Sequence, residues 1–208
     1  MLKDDMYWTL FSRNIKNVLM RRYGKIYTKN AVPKIKQQYK ALLKLFPDIG
    51  KHTLTDMVNM GIVFLAIWTG TEKRFSTQEL TEICRETLEH FKLFFGIINL
   101  NKPWAMKKLR RETYNYMKWL SEKGAAYPNK WEGYIDTEIH DKGFCYVFTK
   151  CPIRDFCEKY GYLEALPALC AQDYPIYSMM HGVLKREQTL ADGKYCDFWI
   201  YGDKNGNY

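Results

Sequence analysis

The segment from residue 170 to residue 198 concentrates side chains that can carry out acid–base or nucleophilic chemistry. Cys170 and Asp173 lie three residues apart, a spacing that places both on one face of a helix. The carboxylate can take or give a proton, and the thiol can attack an electrophilic carbon as its thiolate. A carboxylate raises the pKa of an adjacent thiol, so activation also needs a cation, and Arg186 and His181 are the nearest in sequence. The structural alternative is a buried cysteine that only packs.

The second half of this segment has the pattern of a β-hairpin. Residues 182–190 and 194–202 are strand-like, and Asp192 and Gly193 between them predict a two-residue turn. That turn pairs Gln188 with Asp197, and alternation then gives one face with Thr189, Cys196 and Phe198 and another with Arg186, Gln188, Asp197 and Trp199. Arg186 and Asp197 become diagonal neighbours, close enough for an ion pair. Such a pair either braces the hairpin or belongs to a site, and the pairing alone leaves both open.

The cysteine spacing argues against a metal site. The five cysteines from residue 145 onwards include no pair separated by two residues, whereas structural zinc sites usually draw their ligands from such pairs. The N-terminal residues have two aspartates where a secretory signal needs positive charge, and no apolar run follows them. The longest apolar stretch, residues 60–68, is about half the length that spans a bilayer. We therefore predict a cytoplasmic protein with reduced thiols, no metal, no cofactor and no membrane association.

The net charge of +9, from 32 Lys and Arg against 23 Asp and Glu, predicts a surface that attracts anions. Much of the excess lies on predicted helices, where it is also typical of solvated polar faces. Nucleic-acid binding is the alternative interpretation of this charge, but the chain has no recognised nucleic-acid motif. It also has no Gly-rich phosphate loop and no GxSxG elbow, which disfavours several enzyme classes. We predict a small-molecule substrate and no nucleic-acid partner, and leave homo-oligomerisation open.

Helical elements dominate residues 1–124. Apolar residues at helical spacing predict one helix ending near Gly24, one from near Pro33 to Pro47, one from Thr53 or Thr55 to Gly70, one beginning after Ser76, and one from Lys102 to Glu122. The third is apolar nearly all round, which predicts a central buried helix. The fourth starts at a capping box formed by Ser76 and Glu79, and its apolar stripe is predicted to run from Leu80 through Cys84 to Phe95.

Residues 125–208 have a different pattern. Residues 131–139 and 144–149 are rich in aromatic and β-branched residues, with a turn at 141–143, and they predict a first hairpin. Two helical segments separate it from the hairpin described above. The sequence therefore predicts an α+β fold in a single domain, with a helical N-terminal half and an antiparallel sheet of about four strands covered by helices on one face. Cys170 and Asp173 are expected to face Arg186 and the strand of Cys196 across one cleft.

The C-terminal residues resemble the signature of the L-2-amino-thiazoline-4-carboxylic acid hydrolase family. The matching pattern is CxxD, then RxxTLAxG, then CDF, carried here by Cys170, Asp173, Arg186, Thr189, Leu190, Ala191, Gly193, Cys196, Asp197 and Phe198. Residues 148–170 are similar to the segment that precedes that signature. The resemblance covers most of the chain and is most specific in roughly the last sixty residues. It implies hydrolytic opening of a cyclic, amidine-like C=N bond in a cysteine-derived ring bearing a carboxylate, with a carbamoyl-cysteine product in cysteine metabolism.

The resemblance assigns no roles to individual residues, so we infer them from side-chain chemistry. Arg186 is expected to hold the substrate carboxylate, because its planar guanidinium suits bidentate binding, and Asp197 is expected to orient it. Asp173 is expected to activate water or protonate the ring nitrogen. Cys170 or Cys196 would attack the amidine carbon or shape the pocket. The remaining substrate-binding candidates are Thr189 and His181.

A non-catalytic role for the same residues is the main alternative. The C-terminal organisation also loosely resembles small-molecule sensing and assembly domains of the 4-vinyl-reductase and trafficking-particle type, in which a helix-covered sheet encloses an apolar pocket or forms a dimer surface. The high aromatic content is typical of an apolar ligand site as well as of a core. An enzyme should release product, whereas a sensor should bind its ligand and leave it intact.

Overall fold

The computed structural model describes residues 6–137 and 143–204. Its helices are α1 (Met6–Leu45), α2 (Thr55–Gly70), α3 (Thr77–Glu89), α4 (Lys92–Gly96), α5 (Pro103–Lys123), α6 (Pro152–Tyr160), α7 (Leu166–Cys170) and α8 (Asp173–Met179). Its strands are β1 (Glu132–Asp136), β2 (Phe144–Lys150), β3 (Gly182–Lys185) and β4 (Cys196–Gly202). The N-terminal helices and the four-stranded antiparallel sheet in the C-terminal half confirm the predicted α+β class.

Helix α1 contains the predicted break at Gly24, but its second part begins earlier than predicted. Gly24 has φ 80° and ψ 174°, a conformation that glycine adopts without steric cost. Pro33 lies inside the helix and not near a helix start. Ala31 and Ile35 on either side of it are buried, and a Cβ at Gly70 of α2 would lie 2.5 Å from the Ile35 Cα. This close packing of α1 on α2 offsets the backbone hydrogen bond that the proline removes.

Helix α2 is the central buried helix that the sequence predicts. Every residue from Ile62 to Trp68 is buried, because the helix is apolar all round and is enclosed by the rest of the core. Its N-terminal turns, which include Met57 and Met60, extend towards the sheet and contribute to the cavity described below. None of the described helices combines the length and the apolarity that crossing a membrane requires.

Helix α3 begins as predicted and ends earlier than predicted. Ser76 Oγ accepts the Glu79 N–H at 3.3 Å, and Glu79 Oε2 accepts the Ser76 N–H at 3.0 Å, which completes the capping box. The helix ends at Glu89, where the Phe91 N–H bonds to the Leu88 carbonyl and tightens the last turn. The predicted stripe therefore does not continue on this helix: Phe94 is 68% exposed, whereas Phe91 and Phe95 pack against the core from beyond the end of α3.

The sheet has the strand order β1-β2-β4-β3 and is antiparallel throughout. Burial alternates along β4, so that Cys196, Phe198 and Ile200 are buried while the residues between them are less so. The buried face carries the side chains that line a cavity together with α2 and α7. The predicted turn at 141–143 lies, apart from Gly143, outside the described residues.

The predicted register of the second hairpin is wrong by one residue. β3 ends at Lys185, which pairs with Trp199, so residues 186–195 form a loop and not a two-residue turn. The backbone of this loop bonds to a side chain of β4: Asp197 accepts the N–H groups of Glu187 and Gln188 at 2.8 and 3.0 Å. These bonds compete with a continued strand ladder. A one-residue shift reverses the face of every side chain.

Candidate functional site

Each of the three guanidinium nitrogens of Arg186 donates a hydrogen bond to a protein acceptor. Its Nε donates to the Asp197 carbonyl at 3.1 Å, its Nη1 to the Cys170 carbonyl at 3.2 Å, and its Nη2 to Asp173 Oδ2 at 2.5 Å. Its Cζ lies 3.8 Å from the centre of the Phe198 ring, and the side chain is 2% exposed. Burial lowers the pKa of Arg186, but the adjacent Asp173 carboxylate more than compensates and the pKa is raised.

The ion pair that the sequence predicts between Arg186 and Asp197 is therefore replaced by a pair between Arg186 and Asp173. Because of the register shift, Arg186 lies on the face of Cys196 and Phe198 and not on the face of the Asp197 side chain. Asp197 contacts the arginine through its backbone carbonyl, and the role predicted for its side chain stays a prediction.

Asp173 connects this arginine to a cavity between the buried face of the sheet, α2 and α7. The cavity has a volume of about 90 Å³, and Asp173, Cys170 and Cys196 contribute to its wall. Cys170 ends α7 and Asp173 begins α8, so the two belong to consecutive short helices and not to one. The structure nevertheless places them on the same cavity, facing the strand of Cys196, as predicted. The Asp173 side chain is 19% exposed, which leaves its carboxylate partly accessible.

The rest of the cavity wall is apolar, apart from two groups that sequence reasoning missed. The apolar wall includes Met60, Phe64, Phe148, Leu169 and Phe198. A third thiol, Cys151, lies between β2 and α6, and Gln172 lies between Cys170 and Asp173 in the chain. Gln172 falls within the CxxD motif itself, so its position in the sequence was the available signal.

The three cavity thiols are held in their neutral form. Burial raises the pKa of Cys170, and the neighbouring Cys196 and Asp173 raise it further. Burial likewise raises the pKa of Cys196, and it raises the pKa of Cys151 to about 12. The thiolate is the nucleophilic form of cysteine, so these thiols are poor nucleophiles near pH 7. Asp173 is the group in the cavity wall that is equipped for proton transfer.

We expect iodoacetamide to modify Cys170 at least about tenfold more slowly in the folded protein than in urea at pH 8, and Cys196 also more slowly, since burial raises the pKa of both thiols and each unit of raised pKa lowers the thiolate fraction about tenfold. The folded-state rate should keep rising above pH 9, because the folded pKa lies above that of the free thiol. Peptide mapping by mass spectrometry across a pH series measures both effects. Fast modification of either residue in the folded protein at pH 7, with a plateau by pH 8, would show that a thiolate is present.

The other predicted substrate-binding residues lie away from the cavity wall. The His181 ring is 45% exposed, and its Nδ1 lies 3.7 Å from Asp203 Oδ2. Thr189 Oγ1 donates to Asp192 Oδ1 at 3.0 Å within the loop, and both oxygens of Asp197 accept backbone N–H groups of the same loop. These contacts give Thr189 and Asp197 a part in shaping the loop that carries Arg186.

The described residues include no group of three or more His, Cys, Asp or Glu side chains arranged to hold a metal ion. His140 lies outside the described residues.

The fold and the site define an α+β protein in which helices and one face of a sheet enclose a cavity bearing a carboxylate and thiols. Comparison with protein families gives the class a name. Residues 56–200 match the model of the L-2-amino-thiazoline-4-carboxylic acid hydrolase family. The match covers well over half of the chain, so the protein belongs to this family, whose name describes hydrolases. Neither the curated proteins nor the solved structures include a match to the chain.

Proposed function

We propose that the protein hydrolyses a small cyclic amidine that carries a carboxylate, of the 2-amino-thiazoline-4-carboxylate type, to a carbamoyl-cysteine. The observation that carries this proposal is the Asp173 carboxylate, which contributes to the wall of a small, mostly apolar cavity. Arg186, which does not line the cavity, donates a hydrogen bond to this carboxylate. Membership of the hydrolase family supports the reaction class.

In the proposed reaction, water is the nucleophile and Asp173 transfers the protons. As the water oxygen adds to the amidine carbon, Asp173 takes one proton from it and passes that proton to the ring nitrogen. The bond between that carbon and the ring nitrogen then breaks, and its electron pair remains on the nitrogen. The second water proton also ends on the nitrogen, while the water oxygen becomes the carbonyl oxygen of the carbamoyl group. Substrate and one water account for every atom of the product.

The geometry supports a changed role for Arg186 in this proposal. Nε, Nη1 and Nη2 of Arg186 each donate to a protein oxygen, and the side chain is 2% exposed. We therefore assign Arg186 to positioning Asp173 and not to holding the substrate carboxylate. A fixed carboxylate transfers protons with less reorganisation than a mobile one. The thiols of Cys170 and Cys196 are assigned to the cavity wall, because burial raises the pKa of each.

The test is to incubate the full chain with 2-amino-thiazoline-4-carboxylate and related cyclic amidines, and to follow product by mass spectrometry. We expect the substrate to disappear as a product heavier by one water forms, at a rate proportional to protein concentration. A panel member that raises the melting temperature but stays intact would indicate a binding or sensor module instead. A panel with neither turnover nor binding would contradict the proposal.

A further inference from the structure

The ring of Phe198 lies between an aromatic ring and a cation. The Tyr146 ring stacks on it, with the ring centres 4.5 Å apart and 12° between the planes, and the Cζ atom of Arg186 lies 3.8 Å from its centre. Strand order explains the arrangement. The strand of Phe198, β4, lies between β2, which carries Tyr146, and β3, which leads directly into Arg186. The three side chains therefore form a stack across the buried face of the sheet.

This stack is shielded from water and fixed at its far end. Phe198 is 5% exposed and the Arg186 side chain is 2% exposed. A cation is attracted to the negative face of an aromatic ring, and the attraction is stronger where both groups are desolvated. The hydroxyl groups of Tyr146 and Tyr177 are hydrogen-bonded at 3.1 Å, which ties the outer ring of the stack to α8. Phe198 is therefore a firm surface against which the arginine rests.

The ring restrains a movement that the hydrogen bonds of the arginine restrain less. The N–H groups of a guanidinium donate within its plane, so they oppose movement out of that plane weakly. A separation of 3.8 Å between Arg186 Cζ and the ring centre is van der Waals contact, and it blocks movement of the guanidinium towards Phe198. Arg186 also follows the last residue of β3, so its backbone lies outside the strand. The aromatic contact helps to determine where its nitrogens lie.

We propose that Phe198 is a positioning residue of the proposed reaction, acting through Arg186 on the Asp173 carboxylate. The inference rests on the proposed function for the reaction, and it gives a role to the aromatic residue of the CDF motif. The contacts run from the Phe198 ring to the guanidinium, and from Arg186 Nη2 to Asp173 Oδ2 at 2.5 Å. A carboxylate held in one orientation needs less reorganisation when it transfers a proton.

The test replaces Phe198 in the full chain by phenylalanine carrying one, two or three ring fluorines. Fluorine withdraws electrons from the ring face and so weakens its attraction for a cation, while the ring keeps nearly the same shape. We expect kcat for opening of 2-amino-thiazoline-4-carboxylate to fall with each added fluorine, by up to about tenfold in total, the factor that one desolvated cation–π contact provides. KM should stay within about twofold, because Phe198 acts here on the catalytic carboxylate and not on substrate binding.

The matched control is the same series of fluorinated rings at Phe144. Phe144 is buried in β2, its ring centre lies 5.9 Å from Cζ of the exposed Arg110, and it does not line the cavity. Fluorination there should leave kcat unchanged within about twofold, since Arg110 has no part in the proposed reaction. A kcat that is independent of the number of fluorines at Phe198 would overturn the inference, and so would an equal fall in the Phe144 series.

Urea unfolding provides a measurement that does not depend on turnover. Fluorination of Phe198 should lower the urea midpoint of the unmodified chain and leave that of Arg186→Met nearly unchanged, because no arginine then faces the ring. An equal fall in both backgrounds would show that Phe198 only packs, and no fall in the unmodified chain would show that the ring does not hold the cation. Either result overturns the inference. A chain that opens no thiazoline ring contradicts the proposed function, and the unfolding series then decides whether Phe198 holds Arg186.

Discussion

Replacement of Asp173 by Asn is expected to lower the rate of thiazoline ring opening by about 10²- to 10⁴-fold, the usual contribution of a positioned general acid or base. The asparagine side chain has nearly the same shape, and its oxygen can still accept the hydrogen bond that Arg186 Nη2 now gives to the carboxylate. It cannot, however, take the proton of the attacking water. The loss should fall mainly on kcat, and initial rates of product formation over a range of substrate concentrations measure it.

The matched control for this variant is Asp155→Asn. Asp155 is a surface carboxylate on α6, 3.6 Å from Arg154, and it does not line the cavity. Its replacement should leave the rate of ring opening unchanged within about twofold, since surface substitutions away from a site have small effects. Undiminished turnover in Asp173→Asn would contradict the assignment. If turnover were lost in Cys170→Ser and kept in Asp173→Asn, the nucleophile would instead be the Cys170 thiol.

Replacement of Arg186 by Met is expected to lower the free energy of unfolding by about 3 to 5 kcal/mol, as is typical when one partner of a buried ion pair is removed. Methionine fills part of the space against the Phe198 ring but donates no hydrogen bond. The Asp173 carboxylate loses its counter-charge, and the carbonyls of Cys170 and Asp197 lose their donor. Because Asp173 is 19% exposed, water can solvate it in part, and the lower end of the range is expected. Urea unfolding of the purified variants measures the change.

Two further variants separate the ion pair from general damage to the fold. Arg154→Met removes an exposed arginine that pairs with Glu158 at 2.9 Å, and it should cost under about 1 kcal/mol. The double variant Arg186→Met with Asp173→Leu should be more stable than Arg186→Met alone, because it no longer carries an unpaired charge. The opposite result would be a double variant whose loss of unfolding free energy equals the sum of the losses in the two single variants. The two residues would then contribute independently, contrary to the contact seen between them.

Much of the fold could be predicted from the sequence because the relevant signals are local. The capping box of Ser76 and Glu79, the break at Gly24 and the buried run from Ile62 to Trp68 each depend on residues within one or two helical turns. A local signal also gave a wrong prediction for the end of α3. Phe94 continues the apolar spacing of α3, but α3 ends at Glu89 and the side chain is exposed.

The sequence alone was enough to predict that Cys170, Asp173, Arg186 and Cys196 lie near one another, since all four fall within one short motif-bearing segment, but it did not indicate the third cavity thiol, Cys151. Their pairing depends on contacts that form only in the folded chain. In the loop at 186–195, the N–H groups of Glu187 and Gln188 donate to the Asp197 carboxylate on β4, whereas a two-residue turn would leave these residues paired as a strand. The resulting shift of one residue turns Arg186 towards Asp173 and the cavity side of the sheet, because neighbouring residues of a strand point to opposite faces.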